Sequence, residues 1–138
     1  MVLAANLKSK ADPVNTMAKA AAKTTEILTE ERPWGKFERF TLNEPCTVKL
    51  IYVSAGKRLS LQFHNDRSEF WKIVKGPVRV QVNDKKSVLQ TGDTISIPRR
   101  AKHRLEGMQD DGIVLEISFG NFDESDIVRL EDDYKRVS

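Results

Sequence analysis

The chain has 138 residues, the length of one ordinary domain, and can bury a core without disulfides or a structural metal. Its 23 basic and 20 acidic residues leave a net charge of +3, too mild to argue for nucleic acid on charge alone. The single cysteine, Cys46, excludes an intramolecular disulfide, and no apolar run approaches the roughly 18 residues of a membrane span. Residues 1–30 stand apart in composition. "AKAAAKTTEIL" at 18–28 is rich in helix formers and predicts a short helix, with a thin apolar stripe of Ala22, Ile27 and Leu28. Pro13, after Asp12, suits a helix start. The start of the chain carries lysines and few acids, but lacks the continuous apolar core of a secretory signal and the arginines of a transit peptide. A cytoplasmic location is the expectation.

From "ERPWG" at 31–35 the dominant period changes to two, and residues 31–138 read as one barrel domain behind an N-terminal extension, partly helical or disordered. Trp34 is expected to anchor the extension to the barrel. "TVKLIYVSAG" reads as a strand closed by a turn at Ala55-Gly56. Leu59, Leu61 and Phe63 alternate with Ser60, Gln62 and His64. "FWKIVKG" runs to Gly76. Val78, Val80 and Val82 lead into a hairpin turn at Asn83-Asp84. "TISIP", "HRLEG" and "GIVLEISFG" follow, and "ESDIVRLEDDYKR" supplies a last strand and a tail. Short strands with turns every 8–12 residues predict an all-β sandwich or barrel.

Within "QFHNDRSEFW" at 62–71, Gln62 and His64 share one strand face, and a turn can bring Glu69 back beside His64. The only other histidine, His103, lies enough strands later to return as a neighbour. An amide oxygen, two imidazoles and a carboxylate form a donor set for one divalent ion. Zinc is favoured, with Co, Mn, Ni, Mg or Fe as alternatives.

These residues also carry a resemblance. Gly56, Gln62, His64, Glu69 and Gly76 fit the first motif of the cupin barrels, with Gln in the first His place. Gly92, Pro98 and His103 fit the second, with Arg100 where the motif has Gly. "RPWG", "GKRLSLQ", "RSEFW", "IPRRAKHRLEG" and "DIVRLEDDYKR" together resemble the cupin domain of type II mannose-6-phosphate isomerases, across residues 31–136. The resemblance implies a double-stranded β-helix, or jelly roll. It also implies metal-dependent interconversion of mannose 6-phosphate and fructose 6-phosphate through an enediol. Gln62, His64, Glu69 and His103 are the implied metal ligands. Arg136 and Lys102 are expected as catalytic residues, and Arg58, Arg104 and Lys57 as cations for the phosphate. The expected partner is a small phosphorylated sugar, with no nucleic acid or membrane, and the chain is expected to be a homodimer.

Asn65, Asp66, Phe70, Arg99, Arg100, Gly107 and Lys135 depart from the family's usual residues, and none of them is an expected ligand. The family's domain often stands behind a GDP-mannose pyrophosphorylase. This sequence has no Gly-rich nucleotide loop, so guanylyltransferase activity is not expected of it. Two other readings remain open: a non-catalytic sugar-binding or regulatory cupin, and an isomerase or epimerase for a different sugar phosphate.

Overall fold

The structure, a computed structural model, describes residues 25–136. Eleven strands follow one another within it: β1 (Leu28–Arg32), β2 (Gly35–Arg39), β3 (Thr47–Val53), β4 (Leu61–Phe63), β5 (Arg67–Lys75), β6 (Val78–Val82), β7 (Lys85–Leu89), β8 (Thr94–Ile97), β9 (His103–Gly107), β10 (Gly112–Gly120) and β11 (Val128–Glu131). A four-stranded sheet has the order β3-β10-β5-β8, and a five-stranded sheet the order β11-β4-β9-β6-β7. All pairings are antiparallel. No described residue is helical, so the all-β expectation holds there.

The period-two pattern explains how the sheets meet. Val53, Trp71, Ile73, Ile97 and Val114 from one sheet pack against Val78, Val80 and Leu105 from the other. Ile73, Val78, Leu105 and Val114 have no exposed surface, and burying each contributes about 1.5–3 kcal/mol. Gly107 marks a close approach: a Cβ there would lie 2.3 Å from the Ser54 carbonyl oxygen. The departure at 107 is therefore steric, and leaves no room for a side chain beside that strand end.

The expected helix at 18–28 lies outside the described residues up to position 24. Its last residues do not continue it: Leu28 opens β1, which pairs with β2 from Leu28↔Arg39 to Arg32↔Gly35. A complete strand ladder outweighs the small helix preference of the segment. The same pairing places Pro33 and Trp34 at the hairpin tip. Trp34 is 73% exposed there and is not the anchor expected of it. Anchoring falls instead to Ile27, Phe40 and Cys46, which pack on Phe70, Ile117 and Phe119 on the outer face of the four-stranded sheet. An ion pair between Lys72 and Glu38 adds to it. Farther along that face, Val48, Leu50 and Tyr52 of β3 are exposed.

Two of the departures sit where the backbone is left-handed, Arg100 at φ 63° and Lys135 at φ 55°. This conformation costs an ordinary L-residue about 1–2 kcal/mol and suits glycine. Arg100 is exposed, while its backbone N–H holds the His64 carbonyl at 2.9 Å. Arg100→Gly keeps that bond and is expected to raise stability by about 0.5–1 kcal/mol after glycine's own entropy cost. Denaturant titration checks this, and a loss of stability would mean that the arginine side chain holds the turn.

Candidate metal centre

The expected metal-ligating residues come from both sheets. Glu69 sits on β5, in register with Ser118 of β10 and Ile97 of β8. His64 directly follows β4, and His103 opens β9, opposite Gln62 of β4. His64, Glu69 and His103 are 3%, 2% and 2% exposed, and one donor atom of each lies within 4.8 Å of the others. Gln62 lines the same cavity, where its Oε1 accepts the Ser60 hydroxyl at 2.9 Å and keeps a second lone pair.

Hydrogen bonds set the direction of each imidazole. His64 Nδ1 donates to the Asp126 carbonyl at 2.6 Å, and His103 Nδ1 donates to the Ala101 carbonyl at 2.9 Å. Each bond turns the ring's Nε2 toward Glu69, as a hydrogen-bonded partner orients a metal-binding histidine. His64 Nε2 lies 3.1 Å from Glu69 Oε1, and His103 Nε2 lies 3.5 Å from Oε2. The buried Nε2 of His103 has no hydrogen-bond donor. Arg67 Nη2 donates to His64 Nε2 at 3.3 Å and its Nε stands 3.6 Å from Glu69 Oε1, so a buried guanidinium faces that side of the site, while His103 Nε2 and Glu69 Oε2 are left facing one another. Burial pushes the His103 pKa down against the pull of Glu69, so a proton on His103 Nε2 is disfavoured. The donor set fits a divalent metal such as zinc.

A second carboxyl adjoins the site. Burial pushes Glu69 upward, but the His64 hydrogen bond and the charges of His103 and His64 outweigh it and hold the carboxyl below its usual range. Glu116, in the inward row of β10, goes the other way. Burial, then the negative charge of Glu69 and the hydrogen bond with it, pushes Glu116 up to about 8. Trp71 Nε1 donates to both, at 3.1 Å to Glu69 Oε2 and 3.1 Å to Glu116 Oε2. Sequence reasoning missed Glu116 and Lys49, although both leave a trace in it. Each is a charge within an inward row, between Val114 and Ser118 or beside Ile51 and Val53.

The sequence model of the family described as "Mannose-6-phosphate isomerase C-terminal" matches residues 19–132. The chain belongs to this family. The protein "Mannose-1-phosphate guanylyltransferase ManC" of Salmonella typhimurium is 39% identical over 108 residues, covering 77% of this chain and 22% of that protein. "Alginate biosynthesis protein AlgA" of Pseudomonas aeruginosa is 37% identical over 109 residues, covering 78% of this chain and 23% of that protein. The chain thus spans under a quarter of these relatives. Among solved structures, the 4-keto-6-deoxy sugar epimerase NovW from Streptomyces spheroides aligns with a TM-score of 0.59 at 14% identity, over 76% of this chain and 66% of NovW. A cupin protein from Bacteroides fragilis aligns with a TM-score of 0.51 at 22% identity, over 54% of this chain and 65% of that one. These likenesses show the cupin fold expected from the sequence. Among the described residues, no helix is long and apolar enough to cross a membrane.

With the family established, the positions of the expected cations become informative. Arg136 lines the cavity of about 260 Å³ that holds Gln62, His64 and Glu69, together with Lys49, Arg67 and Arg129. Lys102, Arg104 and Arg58 line a different cavity, of about 510 Å³, beside Arg79 and Gln81 of β6. Strand alternation explains Arg104: His103 and Leu105 point inward on β9, so Arg104 points outward. Carboxylates already meet these charges, Lys102 to Asp84 at 2.9 Å, Arg104 to Glu131 at 3.1 Å and Arg58 to Asp133 at 2.7 Å. Lys57 lines a recess with Arg58, Tyr52, Tyr134 and Arg136.

Other departures also fall away from the ligands. Phe70 packs outward against Phe40, with ring centroids 5.9 Å apart. The backbone N–H groups of Asn65 and Asp66 each donate to the Asp126 carboxylate at 2.9 Å. Asp126 therefore orients His64 through its carbonyl and steadies the following turn through its side chain.

Proposed function

We propose that the chain interconverts mannose 6-phosphate and fructose 6-phosphate at a divalent metal, most simply zinc, held by His64, Glu69, His103 and Gln62. The observation that carries this reading is the convergence of two backbone-oriented imidazole Nε2 atoms on Glu69, beside a cavity that also receives Arg136. Membership of the family supports it. A metal in this site would polarise the sugar's carbonyl and hydroxyl oxygens.

The chain's own residues do the rest. At about 260 Å³ the cavity is close to the lower end of the roughly 300–1,000 Å³ range of ligand pockets, and suits a small metabolite. Lys49 and Arg129 line it beside Arg136, and these cations would receive the phosphate. Arginine stays protonated at working pH, so Arg136 would stabilise negative charge developing on the sugar and would not take the proton.

A coupled assay for fructose 6-phosphate formed from mannose 6-phosphate tests the reading. Chelator-stripped protein is expected to be inactive and to recover with zinc or another divalent ion, and His64→Ala is expected to stay inactive. Metal bound at one equivalent without turnover, with any divalent ion, would overturn the isomerase reading and leave the metal centre in place.

A further inference from the structure

We propose that Arg58 is a positioning residue: it latches the C-terminal strap, residues 131–136, onto the barrel and so holds Arg136 at the mouth of the metal cavity. The inference deepens the isomerase reading and rests on it for its kinetic consequence, while its structural consequence rests on geometry alone.

The strap leaves the sheet early. β11 pairs only with the three-residue β4, and its register shifts between Arg129 and Glu131. Beyond Glu131 no strand ladder holds the chain, so side chains must. Asp132 folds the strap on itself: its carboxylate accepts the Arg136 backbone N–H at 2.7 Å and the Arg136 guanidinium at 2.9 and 3.0 Å. This fixes Arg136 relative to the strap, but not the strap relative to the cavity.

Two arginines make that second attachment. Arg58 Nε and Nη2 donate to the two carboxylate oxygens of Asp133 at 2.7 and 2.9 Å, a bidentate pair. Arg104, buried on β9, reaches the Glu131 carboxylate at 3.1 Å and its carbonyl at 3.3 Å, and also the Leu59 carbonyl at 2.9 Å. Arg58 stands just before the strand that carries Gln62 and leads to His64. The latch thus ties Arg136 to the segment that supplies two of the metal ligands. Both arginines line the outer cavity rather than that of the metal. This argues against either as the phosphate's direct ligand.

Arg104 is buried, and its loss would disturb the fold as well as the strap, so Arg58 and Asp133 carry the test. Their pair is exposed, and such pairs contribute little to global stability. The variants are Arg58→Ala, Asp133→Ala, the double variant and the charge-swapped Arg58→Asp with Asp133→Arg. Amide hydrogen exchange over residues 132–136, with no substrate present, is expected to be faster by about tenfold in both single variants. The double variant is expected to be no faster than either, and the swapped pair to be slowed again. In the metal-loaded protein kcat/KM should fall in parallel, by about tenfold or more, as a displaced catalytic group requires. Unchanged exchange in the single variants would overturn the latch. So would loss of turnover in Arg58→Ala beside full turnover in Asp133→Ala, the pattern of a direct substrate ligand. If no variant, nor the parent chain, turns over substrate, the isomerase reading fails and the exchange data still decide the latch.

Discussion

Glu69→Gln is expected to weaken divalent-metal binding by more than 100-fold and to abolish metal-dependent turnover. The reason is geometric and electrostatic. One Glu69 oxygen faces each histidine, at 3.1 and 3.5 Å, so among the described residues this carboxylate is the negative group common to both. Losing an outer-shell partner of a metal ligand already costs about 10–100-fold in affinity, and losing a charged ligand costs more. The amide keeps the size of the side chain and can still accept from Trp71 Nε1, so the barrel is expected to stay folded. Calorimetric titration of stripped protein with zinc measures the first effect, and the isomerase assay the second. Parent-like zinc affinity in Glu69→Gln would remove Glu69 from the ligand set.

The second large effect concerns stability and pH in the metal-stripped protein. Glu116 is raised to about 8 from an ordinary 4.5, by burial first and then by Glu69. Between those values the folded chain binds a proton that the unfolded chain has released. Its contribution is therefore complete below about pH 4.5 and is lost as pH rises toward 8. Glu69 has the opposite sign: its lowered pKa contributes stability above 4.5 that disappears as pH falls below it. The pair together favours a stability maximum near the ordinary carboxylate range.

From pH 5 to pH 8, stripped protein is expected to lose stability on the order of a few kcal/mol through Glu116. Glu116→Gln, which cannot ionise, should flatten this slope. Denaturant midpoints at several pH values measure both curves. Parallel curves for the parent and Glu116→Gln would show that Glu116 is ionised in the folded state throughout. Added metal is expected to oppose the trend, because its ligands bind it best when deprotonated.

The departures from the family pattern show how local chemistry and packing divide the work. Arg100 and Lys135 stand at positive φ, a backbone turn that favours glycine, the motif's residue at position 100. Phe70 faces the outer cluster and not the metal, because Glu69 and Trp71 on either side of it point inward. The sequence already contained that parity, since alternate residues of one strand must face opposite ways. The same rule puts Arg104, expected as a cation for the phosphate, on the face opposite His103. Lys49 and Glu116 were readable as charges in inward rows shared with Val114 and Ile51, a costly placement without a partner or a function.

The sequence by itself determined the strands from β3 onward, their turns and the candidate donor set Gln62, His64, Glu69 and His103. Period-two alternation and turn residues are local properties, and the spacing of the ligands follows them. Only the tertiary structure decided which cations meet the metal cavity. Parity states that two residues share a face, but the pairing order β11-β4-β9-β6-β7 against β3-β10-β5-β8 decides which faces enclose one space. That closure brings Lys49 and Glu116 beside Glu69, places Lys102 and Arg104 outside, and turns Arg58 toward a strap some 75 residues away in the chain.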